Sequence, residues 1–287
     1  MKKLLFQIDT DPIPATFDTV VAYDGGADHV TALGGISPAN VGAIVDGAIF
    51  TRAPKEKKFT AIFVGGSNMA AGEQLLKAVK KKFFSNFRVS VMLDSNGANT
   101  TAAAGVACLV KSAGGSLAGK RAVILAGTGP VGQRAAVMLS REGATVAITS
   151  RTIENARKAC DHIQASFGIE VEPIAAPELD DRARACEGAQ VVFATGAASA
   201  LLLRESDWKA NSTIQYMADA NATPPLGIEG VDMMDRGADR EGRACWGAIG
   251  FGSLKLAVHR ACIAQLFEAA DQVLDAEEIY ARAKAMA

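Results

Sequence analysis

The sequence is poor in the groups that mark a metalloprotein, a disulfide scaffold or a nucleic-acid binder. Only three of the 287 residues are histidine (His29, His162 and His259), and they are scattered. The five cysteines, Cys108, Cys160, Cys186, Cys245 and Cys262, form no CxxC pair and are odd in number. Neither a disulfide framework nor a zinc cluster is expected, and no metal is assigned. There is no HExxH and no GxSxG elbow, which removes the common metalloprotease and serine-hydrolase readings. Charge of one sign is also missing. Lys plus Arg number 30 and Asp plus Glu 31, a formal net charge of −1, so no bulk attraction to nucleic acid or anionic lipid is expected. The longest nearly unbroken small-apolar run, residues 102–110, falls far short of the roughly 20 residues a membrane span needs. The opening MKKLLF resembles the start of an export signal, but Gln7 and Asp9 cut its apolar run too short. The expectation is a cytoplasmic protein. Aromatics are scarce at 6%, whereas glycines number 28, a balance that favours an α/β fold with many tight strand-to-helix turns. The length points to two domains.

Strand and helix signals alternate along the chain. Strands are expected at residues 3–8, 29–33, 59–64 and 88–93, where short apolar runs end in turn residues. Helices are expected at 16–23, from the Ser37-Pro38 cap to about 48, at 68–82 and from about 100 to 112. Lys80, Lys81 and Lys82 read as a solvated last turn, favourable beside a helix C-terminus. The glycines 114, 115 and 119 mark a boundary. A compact βαβ unit follows: strand 121–126, a glycine loop, a helix to about 142 and strand 144–149. Then come a helix at 153–167, strands at 170–174, 190–194 and 213–218, a stiff Pro224-Pro225 loop, and helices at 254–267 and 276–285. The expected fold is two α/β domains. Residues 1–113 form the first, completed by residues 254–287 packing back on it. Residues 114–253 form a Rossmann-type dinucleotide domain with a mostly parallel sheet.

Gly127-Thr128-Gly129-Pro130-Val131-Gly132 matches GxGxxG between a strand and a helix, the context that gives the motif its meaning. Gly127 permits the tight turn, Gly129 lets the backbone approach a pyrophosphate, and Gly132 lets the helix pack close to the strand. The helix N-terminus then offers N–H groups and a positive dipole end to the phosphates. The end of the second strand reads Thr149-Ser150-Arg151, with no acid before Glu154. An NAD site places a carboxylate there for the ribose hydroxyl. An arginine suits a 2′-phosphate instead, so NADP is expected. Asn155 and Arg157 lie one helical turn further on. Two more loops belong at the carboxyl edge of this sheet: Gly196-Ala197, with room for nicotinamide, and Asp219-Ala220-Asn221. Gly247 to Gly252 is a second glycine cluster that, by sequence, lacks a strand before and a helix after. It reads either as a close approach to nicotinamide or substrate, or as a tight turn. Residues 94–101, DSNGANTT, are rich in small polar groups and read either as substrate contacts or as helix caps.

Four segments together carry a family resemblance: DSNGANTTAAAGVA (94–107), LAGTGPVG (125–132), DANATPPLGIEGVD (219–232) and GSLKLAVHRACIAQLFE (252–268). With the opening KKLLFQIDTD and YDGGADHVT (23–31), the chain resembles the NADP-dependent methylene-tetrahydromethanopterin dehydrogenases of methylotrophic bacteria along essentially its whole length. The resemblance implies hydride transfer from methylene-tetrahydromethanopterin to NADP, with methylene-tetrahydrofolate as an alternative carrier. It also implies a homotrimer and a cleft between two α/β domains. Gly127, Thr128, Gly129, Pro130 and Val131 would line the pyrophosphate. Thr128 and Arg151 would meet the 2′-phosphate, and Asn155 stands where the family carries a further basic residue, with Arg157 and Lys158 beside it. Lys255 matches the family's C-terminal lysine and would anchor the pterin.

That chemistry needs no acid or base. In a methylene-tetrahydropterin the reacting carbon lies between two nitrogens, whose lone pairs expel hydride and leave an amidinium cation. The protein must hold donor and acceptor about 3–3.5 Å apart and tolerate the new positive charge. Asp94, Asn96, Asp219 or backbone carbonyls are the candidate acceptors. Two other readings stay open. One is a shikimate-dehydrogenase-like NADP reductase, whose catalytic lysine would be sought among Lys55, Lys57 and Lys58. The other is a non-catalytic NADP sensor.

Overall fold

The computed structural model describes residues 1–287, which divide into two compact α/β units. The first comprises residues 1–100 and 256–286, the second residues 101–255.

In the first unit the order is β1 (Leu4–Asp9), α1 (Thr16–Asp24), β2 (His29–Leu33), α2 (Gly42–Phe50), β3 (Thr60–Gly65), α3 (Met69–Lys81) and β4 (Ser90–Leu93). Helix α4 (Ala98–Ser112) follows and runs on into the second unit. Strands β3 and β4 are buried along their whole length, as expected of parallel strands covered on both faces. With a short strand from the C-terminal segment, β12 (Val273–Leu274), all pairings are parallel, in the order β12-β4-β3-β1-β2. The C-terminal segment does pack back here: β12 (Val273–Leu274) adds to β4, and α10 (Ala276–Met286) closes the chain. Its connection is well fixed, since Ser90 Oγ donates to Ala269 O and Val91 N–H to Gln272 O, both at 2.9 Å.

The second unit continues with β5 (Arg121–Leu125), α5 (Pro130–Arg141), β6 (Thr145–Ser150), α6 (Ile153–Phe167), β7 (Glu172–Ala175), α7 (Leu179–Ala185), β8 (Val191–Ala194), α8 (Glu205–Ala210), β9 (Tyr216–Asp219), β10 (Arg236–Arg240), β11 (Arg243–Trp246) and α9 (Ala248–Gln265), whose last residues enter the first unit. The strand order is β10-β11-β9-β8-β5-β6-β7. Apart from the antiparallel β10–β11 pair, every pairing is parallel. Without that edge hairpin the order is the doubly wound Rossmann arrangement, whose strand order reverses between β5 and β8. Most of α4 belongs here because it packs tightly: a Cβ on Gly105 would lie 2.5 Å from the Phe193 ring.

Several expected boundaries move. Ser37 does not cap α2. Asn40 Oδ1 accepts the Ser37 N–H at 2.7 Å while its amide donates to Gly35 O at 3.0 Å, so residues 37–41 are a local turn and the helix begins at Gly42. The expected strand 213–218 starts only at Tyr216, because the Thr213 hydroxyl turns to Ala189 O at 2.9 Å. The β10–β11 hairpin was not anticipated. Its sequence RGADREGRACW is too polar to show strand alternation, and its outer strand is partly exposed.

The second glycine cluster is also corrected. Strand β11 stands directly before it and α9 directly after it, and the helix starts at Ala248 rather than near Leu254. It is nevertheless no anion site, because the N–H groups of Ile249 and Gly250 both donate to Met233 O, at 2.9 and 3.0 Å. The close approach its glycines permit is to their own chain. A Cβ on Gly247 would lie 2.1 Å from Asp232 O, and one on Gly250 1.7 Å from Asp235 O. Asp235 is itself buried and bound by Arg240 through two contacts, so that backbone has little freedom to retreat. Gly250→Ala is expected to destabilise the protein by about 3 kcal/mol or more. Gly252→Ala, where nothing lies within 4 Å of the added carbon, is expected to be neutral or stabilising by up to about 1 kcal/mol. Denaturant unfolding of the pair checks both; equal effects would refute the account.

Candidate dinucleotide and carrier sites

In the second unit, β5 is buried through Ile124 and Leu125 and delivers the chain to the glycine turn. Gly127 fits against Ile124 and Ile148, with a Cβ there 3.0 Å from each. Gly132 lies so close to the turn that a Cβ would stand 2.6 Å from Gly127 Cα and O. Gly129 is different: nothing lies within 4 Å of its missing Cβ, so its glycine leaves open space beside the N-terminus of α5. Pro130 occupies the first turn of that helix, where its missing N–H costs nothing. The N–H groups of Val131 and Gly132 fall among the first-turn donors that no helical carbonyl satisfies. Thr128, Gly129, Pro130 and Val131 are all half-buried along this rim. The turn is braced from within, since Gln133 Nε2 donates to Thr128 O at 2.7 Å. The residues fit a dinucleotide pyrophosphate: an uncovered glycine, oriented donors and a positive helix end.

Ser150 ends β6 and is buried. Arg151 follows it, exposed, and forms no ion pair with any carboxylate. Asn155 is exposed, and its backbone N–H donates to the Thr152 hydroxyl that caps α6. Arg157 and Lys158 are exposed on the same helix. Thr149, by contrast, is buried and turned inward. Gly196 lies just after β8, with its missing Cβ 2.8 Å from Leu202 Cδ1 and 3.4 Å from Ala126 Cβ, and Ala197 beyond it is exposed.

Asp219 and Asn221 are placed at the expected sheet edge, but their side chains are spent on their own loop. The Asp219 carboxylate is buried and accepts the N–H groups of Asn221 and Ile228, each at 2.9 Å. Burial pushes its pKa up, and the backbone N–H bonds pull the other way. Asn221 accepts from Thr223 N–H at 2.9 Å and donates to Pro225 O at 3.1 Å.

The first unit gathers its polar groups at the carboxyl ends of β1, β3 and β4. Asp94 is fully buried there. It accepts the Thr100 N–H at 3.0 Å and the Thr100 hydroxyl at 2.6 Å, and its Oδ2 stands 4.0 Å from His259 Nδ1. It therefore acts as a cap for α4. Asn96 is exposed in a left-handed conformation (φ 55°), fixed by its N–H to Gly66 O at 2.7 Å, and its side chain faces solvent. Of the two, only Asn96 offers a free polar group. Lys255 lies on α9 and is half-buried. His259 is fully buried and stacked on Phe63 at a ring separation of 5.4 Å. Of the three candidate lysines for a reductase-type base, Lys57 is buried, donates to Asn86 O at 3.0 Å and lies over the Phe87 ring, with burial lowering its pKa. All five cysteines are buried and form no disulfide, and burial raises the thiol pKa of Cys186 to about 12.

Comparison with known proteins follows the same division. Residues 16–96 match the family model for the N-terminal domain of methylene-tetrahydromethanopterin dehydrogenase, and residues 108–221 match the shikimate/quinate 5-dehydrogenase model. A protein of Methylorubrum extorquens named bifunctional protein MdtA is 56% identical over 286 residues, covering 100% of this chain and 99% of its own. The chain belongs to the methylene-tetrahydromethanopterin dehydrogenase family. A second family member from the same organism, an NAD(P)-dependent methylenetetrahydromethanopterin dehydrogenase, is 32% identical over 222 residues, 76% of this chain and 75% of its own. Among solved structures, a shikimate 5-dehydrogenase from Mycobacterium fortuitum covers 98% of both chains at TM-score 0.54 and 13% identity. A 5-ketofructose reductase of Gluconobacter covers 100% of this chain and 99% of its own at 0.52 and 16%. At these identities the likeness is one of fold.

Gly129→Ala separates binding from folding at this turn. The added methyl meets no protein atom but enters the space beside the helix N-terminus. The melting temperature is expected to stay within about 2 °C, while dinucleotide affinity falls at least tenfold by calorimetric titration. Unchanged affinity would remove Gly129 from the site.

Proposed function

We propose that the protein transfers a hydride from methylene-tetrahydromethanopterin to NADP, giving methenyl-tetrahydromethanopterin and NADPH in one-carbon metabolism. Family membership supports the reaction. The observation that carries the cofactor choice is Arg151: an exposed guanidinium with no carboxylate partner, directly after β6, in a segment without an acid before Glu154. A 2′-phosphate completes that group, whereas the ribose hydroxyl of NAD finds no carboxylate there. In this reading the glycine turn of the second unit grips the pyrophosphate and Gly196 and Ala197 leave room for nicotinamide. The first unit serves the pterin carrier, with Asn96 as its free polar group. Lys255 holds a polar substituent of the carrier. Asp94, Asp219 and Asn221 act by shaping their loops. The reading includes a homotrimer in the cytoplasm; light scattering on the purified protein tests the assembly.

No proton moves in the hydride step, so the protein's task is geometric and electrostatic. It must bring the two carbons to a near-attack distance and exclude water from them. A cation appears on the carrier as the nicotinamide loses its own, so the total charge at the reacting centre is conserved.

The test is reduction of NADP and of NAD by the purified protein, each with methylene-tetrahydromethanopterin and with methylene-tetrahydrofolate. Turnover with a strong NADP preference is expected, faster with the methanopterin carrier. Tight NADP binding without turnover on either carrier would favour the sensor reading. Arg151→Gln is expected to raise the KM for NADP about 10- to 100-fold and to leave that for NAD nearly unchanged, the scale of one charge-assisted pair. Lys255→Met is expected to raise the KM for the carrier without changing that for NADP; a variant with wild-type KM and kcat would remove Lys255 from the site.

A further inference from the structure

The glycine turn begins with a residue that is not glycine. Ala126 adopts φ 53°, a region that a residue with a Cβ avoids. Something must hold it there. Its N–H donates to the Thr149 hydroxyl at 3.0 Å, and the next N–H, of Gly127, donates to the Thr149 carbonyl at 3.0 Å. One residue on β6 thus takes two successive N–H groups of the turn, one with its side chain and one with its main chain. Thr149 is only 1% exposed, so the acceptor end of this bond is shielded from competing water. On the other side, the Thr195 hydroxyl donates to Leu125 O at 3.2 Å, which fixes the residue before Ala126. The donors facing the open space at Gly129 follow directly after this pair.

We infer that Thr149 is the positioning residue of the phosphate turn: its hydroxyl holds Ala126 in the left-handed conformation that aims the N–H groups of Thr128, Gly129, Val131 and Gly132 at the pyrophosphate. The inference rests on the dinucleotide reading above. It assigns to one strand end two separable duties. Thr149 governs the pyrophosphate, which NADP and NAD share. Arg151, two residues on, governs the 2′-phosphate, which only NADP carries. Valine at position 149 has the same shape as threonine but cannot accept the Ala126 N–H, which then loses its partner at a half-buried position.

Equilibrium titration with NADP and with NAD tests this on the wild type, Thr149→Val, Thr149→Ser, Arg151→Gln and the double variant Thr149→Val/Ala126→Gly. Thr149→Val is expected to weaken both dinucleotides by the same factor, about tenfold, and to leave their ratio intact. Arg151→Gln is expected to collapse the ratio. Thr149→Ser, which keeps the hydroxyl, is expected to bind both within about threefold of wild type. Adding Ala126→Gly to Thr149→Val is expected to recover part of the loss, because glycine enters the left-handed region without a holder; a merely structural defect at Thr149 would not respond. Wild-type affinity of Thr149→Val for both dinucleotides overturns the inference, and so does a loss confined to NADP. If Thr149→Val fails to fold, a Thr149→Ser variant that binds both dinucleotides about tenfold or more weakly than wild type overturns it instead. A wild type that binds neither dinucleotide overturns this inference and the proposed cofactor together.

Discussion

The second unit depends on one backbone contact. Gly132 in the first turn of α5 lies against Gly127 with no room for a single carbon between them. That contact lets the helix start directly above the end of β5, at the point where the strand order reverses. With the helix there, its unsatisfied N–H groups converge on the space beside Gly129. A bulkier residue at Gly132 would push the helix N-terminus away from the sheet edge and cost the site its donors, and one at Gly127 would also press on the buried Ile124 and Ile148.

Around this contact the chain spends its polar groups on loop geometry. Thr149 binds the start of the turn and Gln133 its middle. Asp219 gathers the N–H groups of a neighbouring loop, and Asn221 ties the same loop to Pro225. In the first unit Asp94 does the same for the start of α4. These side chains lie at the carboxyl edges of parallel strands, where ligands bind in such sheets. Their effect on a ligand passes through the backbone they fix. Hydride transfer between two carbons suits such a site, since it asks for position and exclusion of water more than for an acid or a base.

Much of the organisation was legible in the residue order. Apolar runs such as RAVIL and QVVFA are long enough to specify buried parallel strands, and GTGPVG between a strand and a helix has few other uses. The family motifs extended this across the chain. The hairpin at residues 236–246 was not legible, because a polar edge strand has no apolar alternation to show. The start of α9 was obscured by its own glycines, whose reason is the carbonyl of Asp235 pressed against Gly250. No local pattern reveals a contact made across fifteen residues of chain.

Residue order alone carries the two-domain α/β class, the glycine turn and the arginine that follows the second strand of that motif. Each rests on local spacing, and local spacing is what a chain carries before it folds. Tertiary structure decided which polar residues are free to meet a ligand. Asp94, Asp219 and Asn221 carry the same chemical groups as a binding residue would, but burial beside unsatisfied backbone N–H groups commits them to their loops. Arg151 and Asn96 stay uncommitted because no carbonyl or carboxylate was folded against them. Composition cannot separate the two cases. The difference lies in which backbone donors the fold brings within reach.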